Sequence, residues 1–239
     1  MGKRIIAVIF LLIITNMYSQ NEGKIRYNLV ISQDFSKNEL YNKYVNLANS
    51  GANNLSFILE YKNNLSKFYI EDKLTNNDKN AKIAIAMTDY DNVIYCNSTN
   101  DTIIYHNRNE NIFKKEEFLI IEKKKIDWKI TNESKIIQNF LSYKAVSEIT
   151  YYEGENKFSK KIVAWFCPEF PLKIGPMGFN GLSGLILELS IDNVVFGVNE
   201  INFNLKINEI KLPSTGEKIS REKYIESILS RREKRFVDK

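Results

Sequence analysis

Over most of the chain apolar and polar residues alternate with a period of two, the pattern of strands buried on one face. Residues 24–33 place Ile25, Tyr27, Leu29 and Ile31 on one side and Arg26 and Asn28 on the other. Residues 55–61 and 65–70 repeat the pattern. Lys62-Asn63-Asn64 between them has hairpin length, with asparagines that accept the left-handed turn conformation. Residues 93–97 and 102–106 flank Ser98-Thr99-Asn100-Asp101 as a second hairpin, and strands are expected at 118–122 and 127–131. Residues 141–152 and 158–166 flank a turn beginning Glu153-Gly154-Glu155-Asn156. Residues 185–191, 194–198 and 201–212 complete the strands, the first two joined by the two-residue connection Asp192-Asn193.

Two segments have a helical period instead. In the polar stretch 34–50, Leu40, Tyr41, Tyr44, Val45 and Leu47 recur near helical spacing and predict a short helix. Near the end, Ser220 is a candidate N-cap, and Tyr224, Ile225, Ile228, Leu229 and Phe236 form an apolar stripe among Arg221, Lys223, Arg231, Arg232 and Arg235. This terminal helix is expected to pack on the sheet rather than lie on lipid. Residues 74–80 are polar and read as a mobile loop. No linker rich in proline or glycine divides the chain. The expected fold is mainly β: an antiparallel curved sheet or half-barrel with a C-terminal α-helix, in one domain over residues 20–239.

The N-terminus departs from this pattern. Lys3 and Arg4 precede an unbroken apolar run at 5–14, followed by more polar residues and a small Ser19. Ten residues make a helix of about 15 Å, half of a bilayer core. The layout predicts a secretory signal peptide over residues 1–19. The expected location is outside the cytoplasm: periplasmic, associated with the outer membrane, or secreted. No later run is long enough to predict a transmembrane span.

Net charge is +5 for the whole chain and +3 without Lys3 and Arg4, too little to indicate a nucleic-acid partner. The 13 tyrosines and 14 phenylalanines alternate largely along strands, which core packing explains. In an oxidising compartment Cys96 and Cys167 define one candidate disulfide, with two separate buried thiols as the alternative. His106 is the only histidine, so any Ser–His or Cys–His pair must use it; no G-x-S-x-G elbow accompanies it, and it reads as a strand-end residue. No zinc, Walker or dinucleotide motif is present, and no metal or cofactor is expected. Glu169 and Glu188 are candidates for a carboxylate pair only if the fold brings them together.

The most distinctive segment is AWFCPEFPLKIGPMGFNGLSGLILEL, residues 164–189. It holds four of the ten glycines and three of the four prolines, so a shaped loop is expected between two strands. It resembles the signature of the GLPGLI family, small exported proteins typical of Bacteroidetes. The matching elements are Ala164-Trp165-Phe166, Glu169-Phe170-Pro171, Gly175-Pro176 and Gly181-Leu182-Ser183-Gly184-Leu185-Ile186-Leu187, with Trp128-Lys129-Ile130 and Tyr143-Lys144-Ala145 upstream. Ser183 stands where the family usually has proline, Met177 where a large aromatic residue is common, and Ser142 where a cysteine often occurs. The resemblance implies an envelope setting and no assigned activity.

The expected function is a non-enzymatic envelope protein that holds a hydrophobic ligand or a protein segment against the concave sheet face. Trp165, Gly175, Pro176, Gly181, Leu182, Gly184 and Leu185 are its candidate binding residues, with turning and core packing as their competing role. The alternatives are an interaction module for an outer-membrane protein complex, with loop 168–184 or the basic tail as its contact surface, and a hydrolase using Glu169 and Glu188.

Overall fold

Strand β1 (Glu22–Ile31) buries Ile25, Tyr27, Leu29 and Ile31 on one face, as its alternation requires. The computed structural model describes residues 21–33, 38–71, 78–88, 90, 92–107, 113–123, 125–153 and 156–237. The candidate signal peptide, residues 1–19, lies outside the described residues.

After β1 come helix α1 (Glu39–Ala52), strands β2 (Phe57–Lys62) and β3 (Leu65–Ile70), and helix α2 (Lys79–Met87). Strands β4 (Ile94–Asn97), β5 (Thr102–His106), β6 (Phe118–Lys123), β7 (Lys129–Ile137), β8 (Phe140–Glu153) and β9 (Asn156–Cys167) follow. The chain closes with β10 (Leu185–Ile191), β11 (Val194–Asn202), β12 (Glu217–Ile219) and helix α3 (Arg221–Val237). Among the described residues all twelve strands join one open sheet in the order β12-β6-β5-β4-β3-β2-β1-β11-β10-β9-β8-β7. The β12–β6 pairing is parallel; the others are antiparallel.

The expected hairpins form where their turn residues allow. Asn63, Asp101 and Asp192 take positive φ in the turns after β2, β4 and β10. A further two-residue turn, Gln138-Asn139, has both residues at positive φ and joins β7 to β8.

The sheet curves strongly. A 3-10 turn at Pro176–Gly178, between β9 and β10, rests against β3 and β4. On a flat sheet β10 and β4 would be five strand spacings apart, about 24 Å. The larger core cluster lies on the face of β1 that carries Tyr27. Phe68 contacts Tyr27, Phe57, Tyr90 and Phe196, with ring centroids 5.2–6.2 Å apart. Helices α1 and α2 add Val45, Ala48, Ala52, Ala81 and Ala84 to that cluster. Two of the buried tyrosines have their hydroxyls satisfied by backbone: Tyr27 donates to the Ile186 carbonyl and Tyr90 to the Phe68 carbonyl, each at 2.7 Å.

The opposite face of β1 is polar. Glu71 accepts from Arg26 Nη1 at 2.6 Å and from Lys24 Nζ at 3.0 Å. Those hydrogen bonds, Arg26's first, hold its carboxyl down at about 2. A carboxyl depressed in the folded state stabilises the fold fully above its ordinary value of 4.5, and the contribution fades as pH falls towards about 2. Thermal melting from pH 6 to pH 2 should therefore show a smaller acid-side loss in Glu71→Gln than in the wild type. Equal slopes would mean the ion pairs add nothing to stability.

Three expectations need correction. Residues 201–212 do not continue as a strand. The Asn202 side chain accepts from Asn204 N at 3.0 Å and turns the chain out of the ladder. Ile207 is then held by its backbone, its N–H donating to Glu22 and its carbonyl accepting from Lys62. Residues 74–77 of the expected loop lie outside the described residues, but Asp78 caps α2, accepting from Asn80 N and Ala81 N, so residues 78–80 open a helix. Finally, Cys96 and Cys167 are both buried and are not joined to each other by a disulfide. The Asn180 amide, not Cys167, stands against the Cys96 sulfur, at 3.3 Å.

Candidate functional site

Two regions stand out: the glycine-rich loop between β9 and β10, and the outer edge at β7. The loop begins where β9 ends, with Phe170 N donating to the Cys167 carbonyl. It returns with Ile186 N donating to the Ile174 carbonyl and Leu185 N to that of Phe170, so its ends are tied to each other. Gly184 makes this closure possible: a Cβ there would stand 2.3 Å from the Cys167 carbonyl oxygen. Gly178 and Gly181 take positive φ, as does Met177 between Pro176 and Gly178.

The loop joins two parts of the core. Phe170 and Ile174 pack into the Tyr27–Phe68 cluster. Phe179 and Leu182 pack into a second cluster with Ala145, Ile162, Ala164, Phe166, Ile186 and Leu189. Met177 touches both clusters. Trp128 leans on Phe179, and its Nε1 donates to the Asn180 carbonyl at 2.8 Å.

Of the seven candidate binding residues, Gly175, Pro176, Leu182, Gly184 and Leu185 are buried, Gly181 is exposed and Trp165 is half-buried. Trp165 lies apart from the loop interior, on β9. Lys135 Nζ stands 4.4 Å and Lys144 Nζ 5.9 Å from its ring centre. Lys135 contacts both carboxylate oxygens of Glu188 at 2.8 Å, and Lys144 pairs with Glu133 at 2.7 Å. Of the candidate carboxylates, Glu188 is therefore engaged by a lysine, and Glu169 lies exposed in the turn after β9. His106 ends β5, its Nε2 3.3 Å from the Thr215 carbonyl. Among the described residues no group of three or more His, Cys, Asp or Glu side chains is placed to hold a metal ion.

The terminal helix packs on the sheet. Tyr224 is buried with Phe113, Phe118 and Ile120. Arg221 pairs with Glu122, and Arg231 pairs with Glu117 while lying over the Phe113 ring. Among the described residues no helix is long and apolar enough to cross a membrane. Shallow depressions among the described residues include one of about 380 Å³ lined by Glu148, Thr150, Phe158 and Ser159, and one of about 270 Å³ beside β12. Neither adjoins the glycine-rich loop.

The edge at β7 was not anticipated. Among the described residues β7 pairs only with β8 and ends the sheet. Ile130 and Ile136 on it are 60% and 64% exposed, and Leu141 and Tyr143 on β8 are 46% and 37% exposed. The register sets Ile130 opposite Ala145, Ser134 opposite Tyr143 and Ile136 opposite Leu141, so these apolar residues share one face. The other edge is different: β12 has three residues and is followed directly by α3. Strand order is a property of the whole chain, so no local sequence signal marks β7 as terminal.

Residues 152–188 match a family model described as a protein of unknown function, Porph_ging. No curated protein matches the chain. Two solved structures of PNGF-II, in space groups P21 and C2, are similar with a TM-score of 0.50 at 15% and 14% identity. The matches cover 89% and 88% of this chain but 34% and 33% of the PNGF-II chains, so this chain spans about a third of their length. At that identity the likeness is one of fold alone, and it is to a mainly β architecture of this kind that the chain is similar.

Proposed function

We propose that this chain is an exported, non-enzymatic cell-envelope protein that holds an extended protein segment by strand addition at β7. One observation carries the reading: a nine-residue strand ends the sheet uncovered, with exposed Ile130, Ile136, Leu141 and Tyr143 beside it. A sheet edge offers a row of unpaired N–H and C=O groups, and soluble proteins usually blunt or cover such edges. An added strand takes up those groups, while neighbouring apolar side chains supply specificity. A small apolar ligand is less well served. The curved face is filled by the aromatic cluster, α1, α2 and the protein's own glycine-rich loop. The loop's candidate binding residues then act by shaping that plug. Export rests on the layout of residues 1–19, and a single domain over residues 20–239 accords with every strand joining one sheet.

The test is native mass spectrometry of the protein from its own cell envelope, with organic extraction, together with a photo-crosslinking amino acid at position 136. The expected result is no extractable lipid and an adduct at 136 whose partner peptide can be sequenced. A co-purifying apolar small molecule with no protein adduct at 136 would overturn the reading in favour of a carrier.

A further inference from the structure

We propose that residues 211–237 form a strap that detaches as a unit while the rest of the sheet stays folded, uncovering the β6 edge. While closed, the strap confines strand addition to β7. That consequence rests on the reading above; the opening itself does not.

The strap is held at few places. Ile210 is buried, and of the side chains from 211 to 231 only Tyr224 is buried. The chain can therefore swing from Ile210 once Tyr224 leaves its site. β12 pairs with β6 through three residues, Glu217–Ile219 against Phe118–Ile120, and a parallel ladder is slightly weaker per residue than an antiparallel one. Tyr224 joins Phe113, Phe118 and Ile120, with Ile219 and Ile228 against them. This is a cluster of its own, meeting the larger one at Tyr105.

The polar anchors lie open to water. Arg221 pairs with Glu122 and Arg231 with Glu117, but the two arginine side chains remain 39% and 42% exposed. Ion pairs so accessible to solvent contribute little. Ahead of β12, His106 Nε2 lies 3.3 Å from the Thr215 carbonyl and 3.2 Å from its hydroxyl, also at an exposed position. Glu217 N donates to the Glu117 carbonyl at 2.9 Å.

These anchors are lost together. α3 has 17 residues with Tyr224 as its buried side chain within 221–231, and a helix of that kind is marginal in water once its packed side is removed. Without α3, the three-residue β12 has no cluster to hold it on β6. Segments with few buried apolar contacts open at a free energy well below that of global unfolding. β1 and β11 are the contrast: each is flanked by strands on both sides and buries alternate residues along its length. Detachment leaves β6 as the terminal strand, six residues long, with a row of backbone N–H and C=O groups unpaired.

The test is native-state hydrogen–deuterium exchange, read by mass spectrometry, on the chain over residues 20–239. Peptides covering 217–237 are expected to exchange together and about a hundredfold faster than those of β1 and β11. Tyr224→Ala should speed exchange over 217–237 by a further factor on the order of ten or more, with β1 and β11 protected as before and the main melt nearly unmoved. Equal protection of 217–237 and β1 in the wild type overturns the proposal. So does a Tyr224→Ala variant that leaves 217–237 unchanged, or one that loosens β1 and β11 as much as the strap. None of these outcomes bears on the adduct at position 136, so the strand-addition reading stands or falls separately.

Discussion

Gly184→Ala is expected to destabilise the fold by about 3 kcal/mol, a fall in Tm on the order of 10 °C for a chain of this size. The added Cβ would lie 2.3 Å from the Cys167 carbonyl oxygen, 2.6 Å from its carbon and 2.9 Å from Pro168 N. All three atoms are backbone, so no side chain can rotate aside. The loop would have to lift from Cys167 at the point where Leu185 N and Ile186 N take up the carbonyls of Phe170 and Ile174. Lifting it loosens Phe179 and Leu182 from one core cluster and Phe170 and Ile174 from the other. Gly197→Ala is the matched control. It lies mid-strand in β11, a Cβ there would meet nothing within 4 Å, and its melt should move by less than about 0.5 kcal/mol. Equal losses in the two variants would show that the close approach at Cys167 is not what makes Gly184 necessary.

Phe68→Ala is expected to cost about 4 kcal/mol, read by urea or thermal unfolding. Phe68 is fully buried on β3, where its ring meets four other aromatic rings, so truncation leaves a cavity walled by stiff groups. Its carbonyl also accepts from the Tyr90 hydroxyl, which ties that ring in place and limits collapse into the space. Phe158→Ala removes the same side chain from an exposed position on β9 and should be nearly neutral. Similar costs at both sites would mean that the aromatic cluster is looser than its geometry indicates.

The legible parts of the chain were those whose burial is one-sided. β1, β3 and β4 bury alternate residues, so their period survives in the sequence. The terminal helix was legible from its stripe, although only part of the stripe meets the sheet: Tyr224 is buried, while Ile225 and Leu229 stay exposed. Helix α2 was not legible. It has nine residues, and its place depends on α1, where a Cβ on Gly51 would stand 2.1 Å from the Asn80 backbone. β12 was missed because three residues carry no period, and its pairing with β6 joins segments about a hundred positions apart. Conversely, Ile201, Phe203, Leu205 and Ile207 alternate like a strand, yet the Asn202 turn and the Glu22–Lys62 pair hold that stretch as an irregular connection.

The candidate site divides in the same way. Glycines and prolines crowded into residues 164–189 marked a shaped loop, because backbone constraints of that kind are written residue by residue. That the loop fills the curved face rather than presenting a surface depended on strands β3 and β4, far from it in sequence. The sequence by itself determined the mainly β class, the principal hairpins, the terminal helix and the loop, since each follows from a period or a turn chemistry spanning a few residues. Only the tertiary structure decided that β7 ends the sheet, that Ile130, Ile136, Leu141 and Tyr143 share one exposed face, and that Cys96 faces Asn180. Strand order and burial are settled by which distant segments meet, and a local pattern of residues carries no record of that.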